Sequence, residues 1–297
     1  MKPESLRSDL LLLLASLIWG TAFVAQRIGM QNVTPFFFNG IRFLLGALVL
    51  IPIIFCRKNN LGGKRDGFLL GNPFQWQFVV LGLLLFGGAS LQQVGIVFTT
   101  AGKAGFITGL YVILVPVIGI LFRRKTRATT WLGAVFGATG LYFLSIKKGF
   151  SIHKGDFLVL VGAFFWTFHV LAIDRFTKEI PPLQLAFWQF ILCGLFSLAF
   201  AFTFEHTTVQ ALMKATIPIF YAGLLSVGIA YTLQVVAQEH AHPSHAAIIL
   251  SLESPFSAVA GYIVLNETLT GREILGAALM AGGMIISQAF AFRNERG

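Results

Sequence analysis

One acidic residue, Glu253, lies in the middle of an apolar stretch that runs from Pro243 to Leu265. An ionised carboxylate at that depth in hydrocarbon is costly unless it is paired or hydrated, so such residues usually serve a function. Pro255, two residues later, has no backbone N–H and frees a carbonyl at about the same depth. We expect Glu253 to face a polar cavity, where it binds a solute or its proton; a structural ion pair or helix-helix hydrogen bond is the alternative.

Two other ionisable side chains lie well inside apolar stretches, away from their ends. Arg42, about eight residues into the second stretch, is the candidate countercharge for Glu253; its alternative role is to extend toward the membrane surface. His169 follows Trp166 by three residues and therefore shares its helical face. We interpret His169 as a proton-handling or solute-binding residue, or as a hydrogen-bonded residue of the core.

Amide and aromatic side chains accompany these ionisable groups at similar depths. Polar groups there favour the interior of a helix bundle, where they join helices or contact a solute. Large aromatic side chains beside them suit an amphipathic organic solute, although packing is the common role of such stripes. The residues of this kind predicted to bind the solute are Trp19, Gln26, Gln92, Trp166, Tyr231 and Gln234.

A dense cluster of titratable residues could be mistaken for a metal site. It consists of Glu239, His240, His242 and His245. Pro243 interrupts this cluster and no Cys supports it, so we predict no metal site there. Cys56 and Cys193 both lie in apolar runs and are interpreted as small buried hydrophobic residues.

Motifs for nucleotide-driven or enzymatic chemistry are missing from the sequence. The Gly102-Lys103 pair lacks both the following Ser or Thr and the upstream Gly of a phosphate-binding loop. Neither Gly-x-Ser-x-Gly nor His-Glu-x-x-His occurs. We therefore predict no cofactor and disfavour a membrane-embedded enzyme.

The composition indicates the class of protein in which these residues lie. Of the 297 residues, 56% are apolar and 11% are charged, against roughly 25% charged in a soluble domain. Apolar stretches of about 20 residues match the length of a helix that crosses the hydrocarbon core. The sequence predicts an all-α polytopic membrane protein with ten transmembrane helices at Asp9–Met30, Thr34–Cys56, Phe74–Thr99, Ala104–Phe122, Thr129–Ile146, Asp156–Arg175, Pro182–Phe204, Ile217–Ala237, Pro243–Leu265 and Arg272–Phe292.

The net charge of +10 bears on topology in such a protein, and we predict no nucleic-acid partner. If the amino terminus is cytoplasmic, 14 of the 22 Lys and Arg residues fall on the cytoplasmic side and 6 on the other. The residues Lys147, Lys148 and Lys154 contradict this bias. We predict a multi-pass protein of the cell (inner) membrane with both termini cytoplasmic, whose first stretch is a retained helix and not a cleaved signal.

An internal repeat divides the chain near residue 150. A shift of 147 residues places Trp19 on Trp166 and Pro35 on Pro182, and a shift of 139 places Pro116 on Pro255. A shift of 143 superposes the Leu-Gly-Ala runs 132–134 and 275–277. We predict two five-helix repeats, 1–148 and 149–297, and the odd number of helices in each makes the second inverted relative to the first.

Three stretches carry a resemblance to a known family: Leu17 to Phe23, Thr100 to Tyr111, and Ser251 to Pro255 with the Asn266 to Thr270 run after it. They resemble the EamA-type drug/metabolite transporter superfamily. The resemblance implies a secondary carrier of small metabolites, commonly an exporter, with a central cavity lined by spans 1, 3, 4, 6, 8 and 9. It also adds Tyr111 to the predicted binding residues. The acidic run after the ninth span has no counterpart after the fourth, where Arg123, Arg124 and Lys125 stand.

A secondary transporter explains the repeat and the polar residues together. We predict non-ATP transport of a small organic metabolite, such as an amino acid, an amine or a related compound, by alternating access. The partners are this metabolite and the lipid bilayer; proton coupling and the choice between monomer and homodimer stay open. The alternatives are a structural or lipid-binding membrane protein and, less favoured, an enzyme.

Overall fold

The computed structural model describes residues 3–60, 75–123, 126–145, 153–268 and 270–289. Every regular element in these ranges is helical. The helices are α1 (Pro3–Gly29), α2 (Pro35–Asn60), α3 (Trp76–Val97), α4 (Ala101–Thr108), α5 (Tyr111–Leu121), α6 (Ala128–Ser145), α7 (Lys154–Phe176), α8 (Pro182–Phe204), α9 (Val209–Lys214), α10 (Thr216–Phe220), a π-helical segment (Tyr221–Tyr231), α11 (Thr232–Gln238), α12 (Pro243–Leu250), α13 (Glu253–Leu265) and α14 (Gly271–Ala289).

Eight helical stretches in the described ranges are long and apolar enough to cross a membrane. Three of them are composite: α4 with α5 form one stretch, α12 with α13 form another, and α10 with the π-helical segment and α11 form the third. The remaining two predicted spans correspond to α6 and to α14, whose apolar part is the shorter helix Ile274–Ser287. The prediction of an all-helical, multi-pass membrane protein is therefore confirmed, while the count of ten spans goes beyond these eight.

Large apolar side chains cover the outside of the bundle. Leu121 is 80% exposed, Ile217 83% and Phe202 74%. The interior, by contrast, holds buried Gln, Asn, His, Arg and Glu side chains. Polar groups inside and apolar groups outside are the arrangement expected when the surrounding solvent is lipid.

Two spans are interrupted at matching positions. The chain breaks at Gly109 and Leu110 between α4 and α5, and at Ser251 and Leu252 between α12 and α13. Both α4 and α12 have eight residues, and their starts are offset by 142 residues, which aligns Tyr111 with Glu253 as the first residues after the breaks.

The helix bounds therefore favour an offset of 142 in this region instead of the predicted 139. Pro116 is the sixth residue of α5 whereas Pro255 is the third residue of α13, so the bounds do not place one Pro on the other. A Pro can occur at several positions of a broken helix, which makes it a poor marker of register. The offset of 143 continues to relate the starts of α6 and α14.

Helix contacts pair the two halves of the chain. Two contacts join helices that are equivalent in the repeat: α2 packs on α8, and α6 packs on α14. Other contacts occur as matching pairs: α3 packs on α7, and its counterpart, the π-helical segment, packs on α1. Helix α13 packs on α1, as α4 and α5 pack on α7. Exchanging the two halves leaves the α2–α8 and α6–α14 contacts in place and converts each of the others into a contact that the structure also has, since α12 packs on α1 as α4 packs on α7.

The α6–α14 contact depends on glycine. A Cβ on Gly133 would lie 2.7 Å from the Gly283 carbonyl oxygen, and one on Gly140 would lie 2.5 Å from that of Gly276. The Gly-x-x-x-Gly spacing of Gly133 and Gly137, with Ala278 and Gly282 in the tenth span, predicts close helix contact either within the chain or between protomers. The structure has such a contact within the chain, and it includes Gly133 but not Gly137 or Gly282: Gly137 faces Val112, and nothing lies within 4 Å of a Cβ on Gly282.

Several predictions concern residues outside the described ranges. The predicted repeat boundary at 148/149 is one of them. So are the basic residues Lys64, Arg65, Arg124, Lys125, Lys147, Lys148, Arg293 and Arg296, and the side chain of Cys56. Cys193 is described, and it is buried and free as expected.

Candidate functional site

A cavity lies in the bundle interior, beside the breaks in the two interrupted spans. Helices α1, α2, α3, α4, α5, α7, α11, α12 and α13 and the π-helical segment contribute to its wall. The lining residues are Trp19, Phe23, Gln26, Arg42, Gln92, Thr108, Tyr111, Trp166, Val170, Ser226, Tyr231, Gln234, Leu250 and Glu253. The structure thus brings together eight of the nine predicted binding residues and the predicted countercharge.

Glu253 is held at the break between α12 and α13. It is the first residue of α13 and its side chain is only 4% exposed. The Tyr111 hydroxyl donates a hydrogen bond to Oε1 of Glu253 over 3.0 Å. Since Tyr111 is the first residue of α5, the two interrupted spans meet at this hydrogen bond. A carboxyl group held this way can accept an ammonium group or take up a proton.

A chain of amides forms a second part of the wall. Oε1 of Gln92 accepts hydrogen bonds from Nε1 of Trp166 over 3.1 Å and from the Thr108 hydroxyl over 3.4 Å. Nε2 of Gln92 donates to Oε1 of Gln26 over 3.3 Å. These bonds connect α1, α3, α4 and α7, so Gln92 joins helices as well as lining the cavity.

Aromatic rings form a third part. The rings of Trp19 and Tyr231 have centroids 4.5 Å apart, and Trp166 stacks on Tyr231 at 5.9 Å. Nε1 of Trp19 donates to the Ser226 carbonyl over 3.2 Å, which fixes the orientation of its indole. Such a group of faces offers apolar area and can also receive a cation.

Arg42 lines the cavity but does not pair with Glu253. None of the ion pairs formed by the described residues joins them, and Nε and Nη2 of Arg42 have no hydrogen-bond partner although the side chain is only 1% exposed. Its guanidinium lies over the rings of Phe43 at 4.9 Å and Phe38 at 5.6 Å. The predicted role of countercharge is therefore not realised as a direct contact in this structure.

His169 does not line the cavity. It is fully buried behind the aromatic group, edge-on to Trp166 and Tyr231, and its Nε2 hydrogen-bonds Oε1 of Gln189 over 2.7 Å. This position corresponds to the alternative of a hydrogen-bonded core residue. Trp166 and Val170 of α7 line the cavity, whereas His169 between them points to Gln189 of α8. Sequence spacing alone did not distinguish these directions.

Two polar lining residues, Thr108 and Ser226, were missed from the sequence. Thr108 is the last residue of α4, immediately before the break, and its hydroxyl donates to Gln92 on the cavity wall. Ser226 precedes Tyr231 by five residues within the π-helical segment. Residues five apart share a face in a π-helix but not in an α-helix. Looking for polar residues at α-helical spacing therefore does not group Ser226 with Tyr231. π-helical turns are frequent at functional sites.

The histidine cluster lies away from the cavity and is divided among separate contacts. His245 hydrogen-bonds Asp9 and Ser287 at 3.0 and 3.1 Å, whereas Nδ1 of His242 accepts from the backbone N–H of Ser244 at the start of α12. Within the described ranges, no group of three or more His, Cys, Asp or Glu side chains could hold a metal ion.

Comparisons with known proteins find relatives over nearly the whole chain. The model of the EamA-like transporter family matches residues 6–146 and 153–288. An uncharacterised transporter of Archaeoglobus fulgidus is 35% identical, covering 95% of this chain and 86% of its own length. The uncharacterised transporter YoaV of Bacillus subtilis is 25% identical, over 95% of this chain and 96% of its own.

More distant similarities extend over most of the chain. The uncharacterised inner membrane transporter YedA of Escherichia coli is 22% identical, covering 91% of this chain and 87% of its own. A solved crystal structure with 20% identity superposes with a TM-score of 0.79, covering 97% of this chain and 98% of its own, which shows a shared fold. The chain belongs to the EamA-like transporter family.

Proposed function

We propose that this protein is a secondary transporter that moves a small organic solute carrying both an ammonium and a carboxylate group, such as an amino acid, across the cell membrane. The observation that carries the proposal is the pair of opposite charges in one cavity, Glu253 and Arg42, which do not neutralise each other. A solute with both groups would satisfy both side chains at once.

The polar groups in this cavity explain why such a solute is favoured over an apolar one. Burying the Arg42 donors without a partner is costly, and a bound carboxylate would remove that cost. Glu253 has one hydrogen bond, from Tyr111, and retains acceptor capacity for an ammonium group. Between them, the Trp19–Tyr231–Trp166 group offers apolar surface to the remainder of the solute.

The repeated architecture supports a mechanism of alternating access. Both interrupted spans meet the cavity at Tyr111 and Glu253, and the contacts between helices exchange when the two halves are exchanged. We infer two inverted five-helix repeats, 1–148 and 149–297, in which α6 and α14 are the fifth and tenth spans. Two halves of similar structure can adopt two conformations of similar free energy, one open to each side of the membrane.

The same proposal places both termini in the cytoplasm. Reporter fusions at His153, in the connection before α7, and at the carboxyl terminus test this orientation. We expect the first to report the outside and the second the inside. An external carboxyl terminus would contradict the orientation if His153 reports the inside, and the count of five spans in the second half if His153 also reports the outside.

Ligand binding is measured first, and transport of the ligands found is measured next. A thermal-shift screen of purified protein should compare amino acids with amines that lack the carboxylate and acids that lack the amine, because a ligand of the folded state raises the melting temperature. We expect amino acids to give the largest shifts. Uptake and efflux of a radiolabelled hit in proteoliposomes then establish transport and its direction, and export from the cell is expected. Binding without any flux would favour a solute-binding membrane protein instead.

A further inference from the structure

Two ion pairs join the halves of the chain. Nζ of Lys103, in the first turn of α4, lies 2.5 Å from Oδ2 of Asp156, in the first turn of α7. Nε2 of His245, in the first turn of α12, lies 3.0 Å from Oδ1 of Asp9 on α1. All four side chains are substantially buried, with exposed fractions between 5% and 33%.

The pairs lie at opposite ends of the bundle. At the end of α1, Arg27 donates to the carbonyls of Ile96 and Val97 at the end of α3, close in sequence to α4 and its pair. Asp9 lies 18 residues earlier on α1, and at 1.5 Å per residue this separation is about 27 Å. That distance approaches the roughly 30 Å thickness of the hydrocarbon core.

The pairs are also equivalent positions of the repeat. The offset of 142 that relates α4 to α12 takes Lys103 to His245, and the offset of 147 that relates Trp19 to Trp166 takes Asp9 to Asp156. Exchanging the two halves therefore converts one pair into the other. The acid is kept in both, whereas the base is Lys in one and His in the other.

This difference makes the two ends unequal. Lysine side chains in general stay charged near neutral pH. Asp156, the partner of Lys103, also accepts hydrogen bonds from the Thr99 hydroxyl at 2.9 Å and the His153 N–H at 3.0 Å. An imidazole, in contrast, changes its charge between pH 5 and 8. His245 has one further partner, the Ser287 hydroxyl at 3.1 Å.

We propose that Lys103–Asp156 and Asp9–His245 are positioning pairs that hold opposite mouths of the transporter closed, and that His245 makes only the mouth near the amino terminus sensitive to pH. This inference rests on the proposed function. Each pair joins a residue of the first half to a residue of the second half. If a mouth opens because the halves move apart there, the two residues of the pair at that mouth separate. Protonated His245 attracts the Asp9 carboxylate as a full cation, whereas neutral His245 offers only a hydrogen bond. Acid at the amino-terminal face therefore holds that mouth closed and favours the conformation open to the other side.

Asp9 is the charged group that contacts the His245 imidazole. Helix α12 packs on α1, α5, α6, α7 and α14. Other charged or titratable side chains are described on these helices at this end and in the adjoining connections. Arg7, Arg123 and Arg127 are exposed. Asp174 and Arg175 form ion pairs with Lys178 and Glu179, Glu239 pairs with His240, and His242 accepts from the Ser244 N–H. Tyr111 on α5 is hydrogen-bonded to Glu253 in the cavity.

Accessibility of a single cysteine in the cavity tests the proposal without a known solute. Thr108→Cys, in a background where Cys56 and Cys193 are replaced by Ser, places the reporter on the cavity wall. A membrane-impermeant maleimide is applied to sealed vesicles from each face at pH 5.5 and 8. Dividing each labelling rate by that of the denatured protein at the same pH removes the effect of thiol ionisation.

We expect labelling from the amino-terminal face to be about fivefold slower at pH 5.5 than at pH 8, the effect of one partly buried ion pair. His245→Lys should label slowly from this face at both pH values, and His245→Gln should show the same rate at both. Lys103→His should confer pH dependence on labelling from the opposite face. Melting temperatures verify that each variant folds; if Lys103→His does not, the contrast between the two His245 variants still decides.

Two results would overturn the proposal in distinguishable ways. Labelling from both faces with a pH dependence that is unchanged in both His245 variants would contradict the role of the ion pairs and leave the transport function standing. No labelling of residue 108 from either face in any variant would contradict alternating access itself, and with it both proposals.

Discussion

The two interrupted spans, α4–α5 and α12–α13, share a backbone design and differ in their chemistry. Each begins with an eight-residue helix, breaks over two residues and continues in a second helix. The residue after the break is Tyr111 in one and Glu253 in the other, and the two hydrogen-bond each other in the cavity. The comparison teaches that the repeat determines where these two side chains lie, whereas the differences between the halves determine their chemistry, a phenol in one and a carboxyl group in the other.

The ends of these spans show the same relation. Arg123 and Asn266 are the non-glycine residues with positive φ, at 56° and 52°, in the described part of the chain, and they are related by the offset of 143. This left-handed conformation is unusual for residues with a side chain, so its repetition reflects the shared backbone. The next residue in the second half, Glu267, accepts hydrogen bonds from the N–H groups of Ala101 and Gly102 at the start of α4.

The largest effect is expected from removing the charge that distinguishes the two halves. Glu253→Gln should keep the fold but lower transport of an amino acid or amine about thirtyfold or more, because a buried charge pair with the solute is lost. Tyr111→Phe should lower it less, since only one hydrogen bond to Glu253 is removed. Initial rates in proteoliposomes measure both. Full transport in Glu253→Gln would leave that residue a structural role only.

The symmetry of the α6–α14 contact can be tested with two glycines that the repeat relates, Gly140 and Gly283. A Cβ on either would meet the carbonyl oxygen of a glycine on the other helix, at 2.5 and 2.7 Å. Gly140→Ala and Gly283→Ala should each destabilise the protein by about 1–3 kcal/mol. Thermal unfolding in detergent measures this, with Gly282→Ala as the control because open space surrounds that position. Unequal losses for the two variants would argue against equivalent packing.

Substitution of Arg42 tests whether the second charged residue of the cavity binds the carboxylate of the solute. Arg42→Met should weaken binding of amino acids about tenfold, because the ligand carboxylate loses charge-assisted hydrogen bonds. Binding of an amine without a carboxylate should not weaken. Arg27→Met is the matched control, since Arg27 bonds backbone carbonyls at the end of α3, away from the cavity. Thermal shifts across ligand concentrations give the affinities; equal weakening for both ligand classes would contradict a carboxylate site.

The smallest effect is expected at Glu267, the acid present after only one of the interrupted spans. Its carboxylate accepts hydrogen bonds at the amino-terminal end of α4, where negative charge is favourable. Glu267→Gln should lower stability by about 0.3–1 kcal/mol and leave most transport intact. Glu239→Gln, at an exposed position, controls for the loss of one charge. A transport loss as large as that of Glu253→Gln would place Glu267 in the mechanism itself.

Much of the site could be predicted because polar residues are rare and costly in apolar stretches. Glu253, Arg42, Gln92 and Gln234 each stood out on that ground, and all four line the cavity. His169 met the same criterion but faces Gln189 behind the aromatic group. A solute and another side chain can both satisfy the hydrogen bonds of a buried polar group. The presence of a polar residue in an apolar stretch therefore indicates a buried group but does not identify its partner.

The sequence by itself determined the class of the protein, the approximate positions of its spans and the existence of a repeat, because hydrophobic length and composition are local properties of the chain. Only the tertiary structure decided which residues are equivalent across the repeat, since the breaks after Thr108 and Leu250 are set by packing and move the offset from 139 to 142. It also decided that Tyr111 faces Glu253, that Arg42 stays unpaired and that Asp9 meets His245. These contacts join residues between 142 and 236 positions apart, and no local pattern specifies which side chains will meet over such separations.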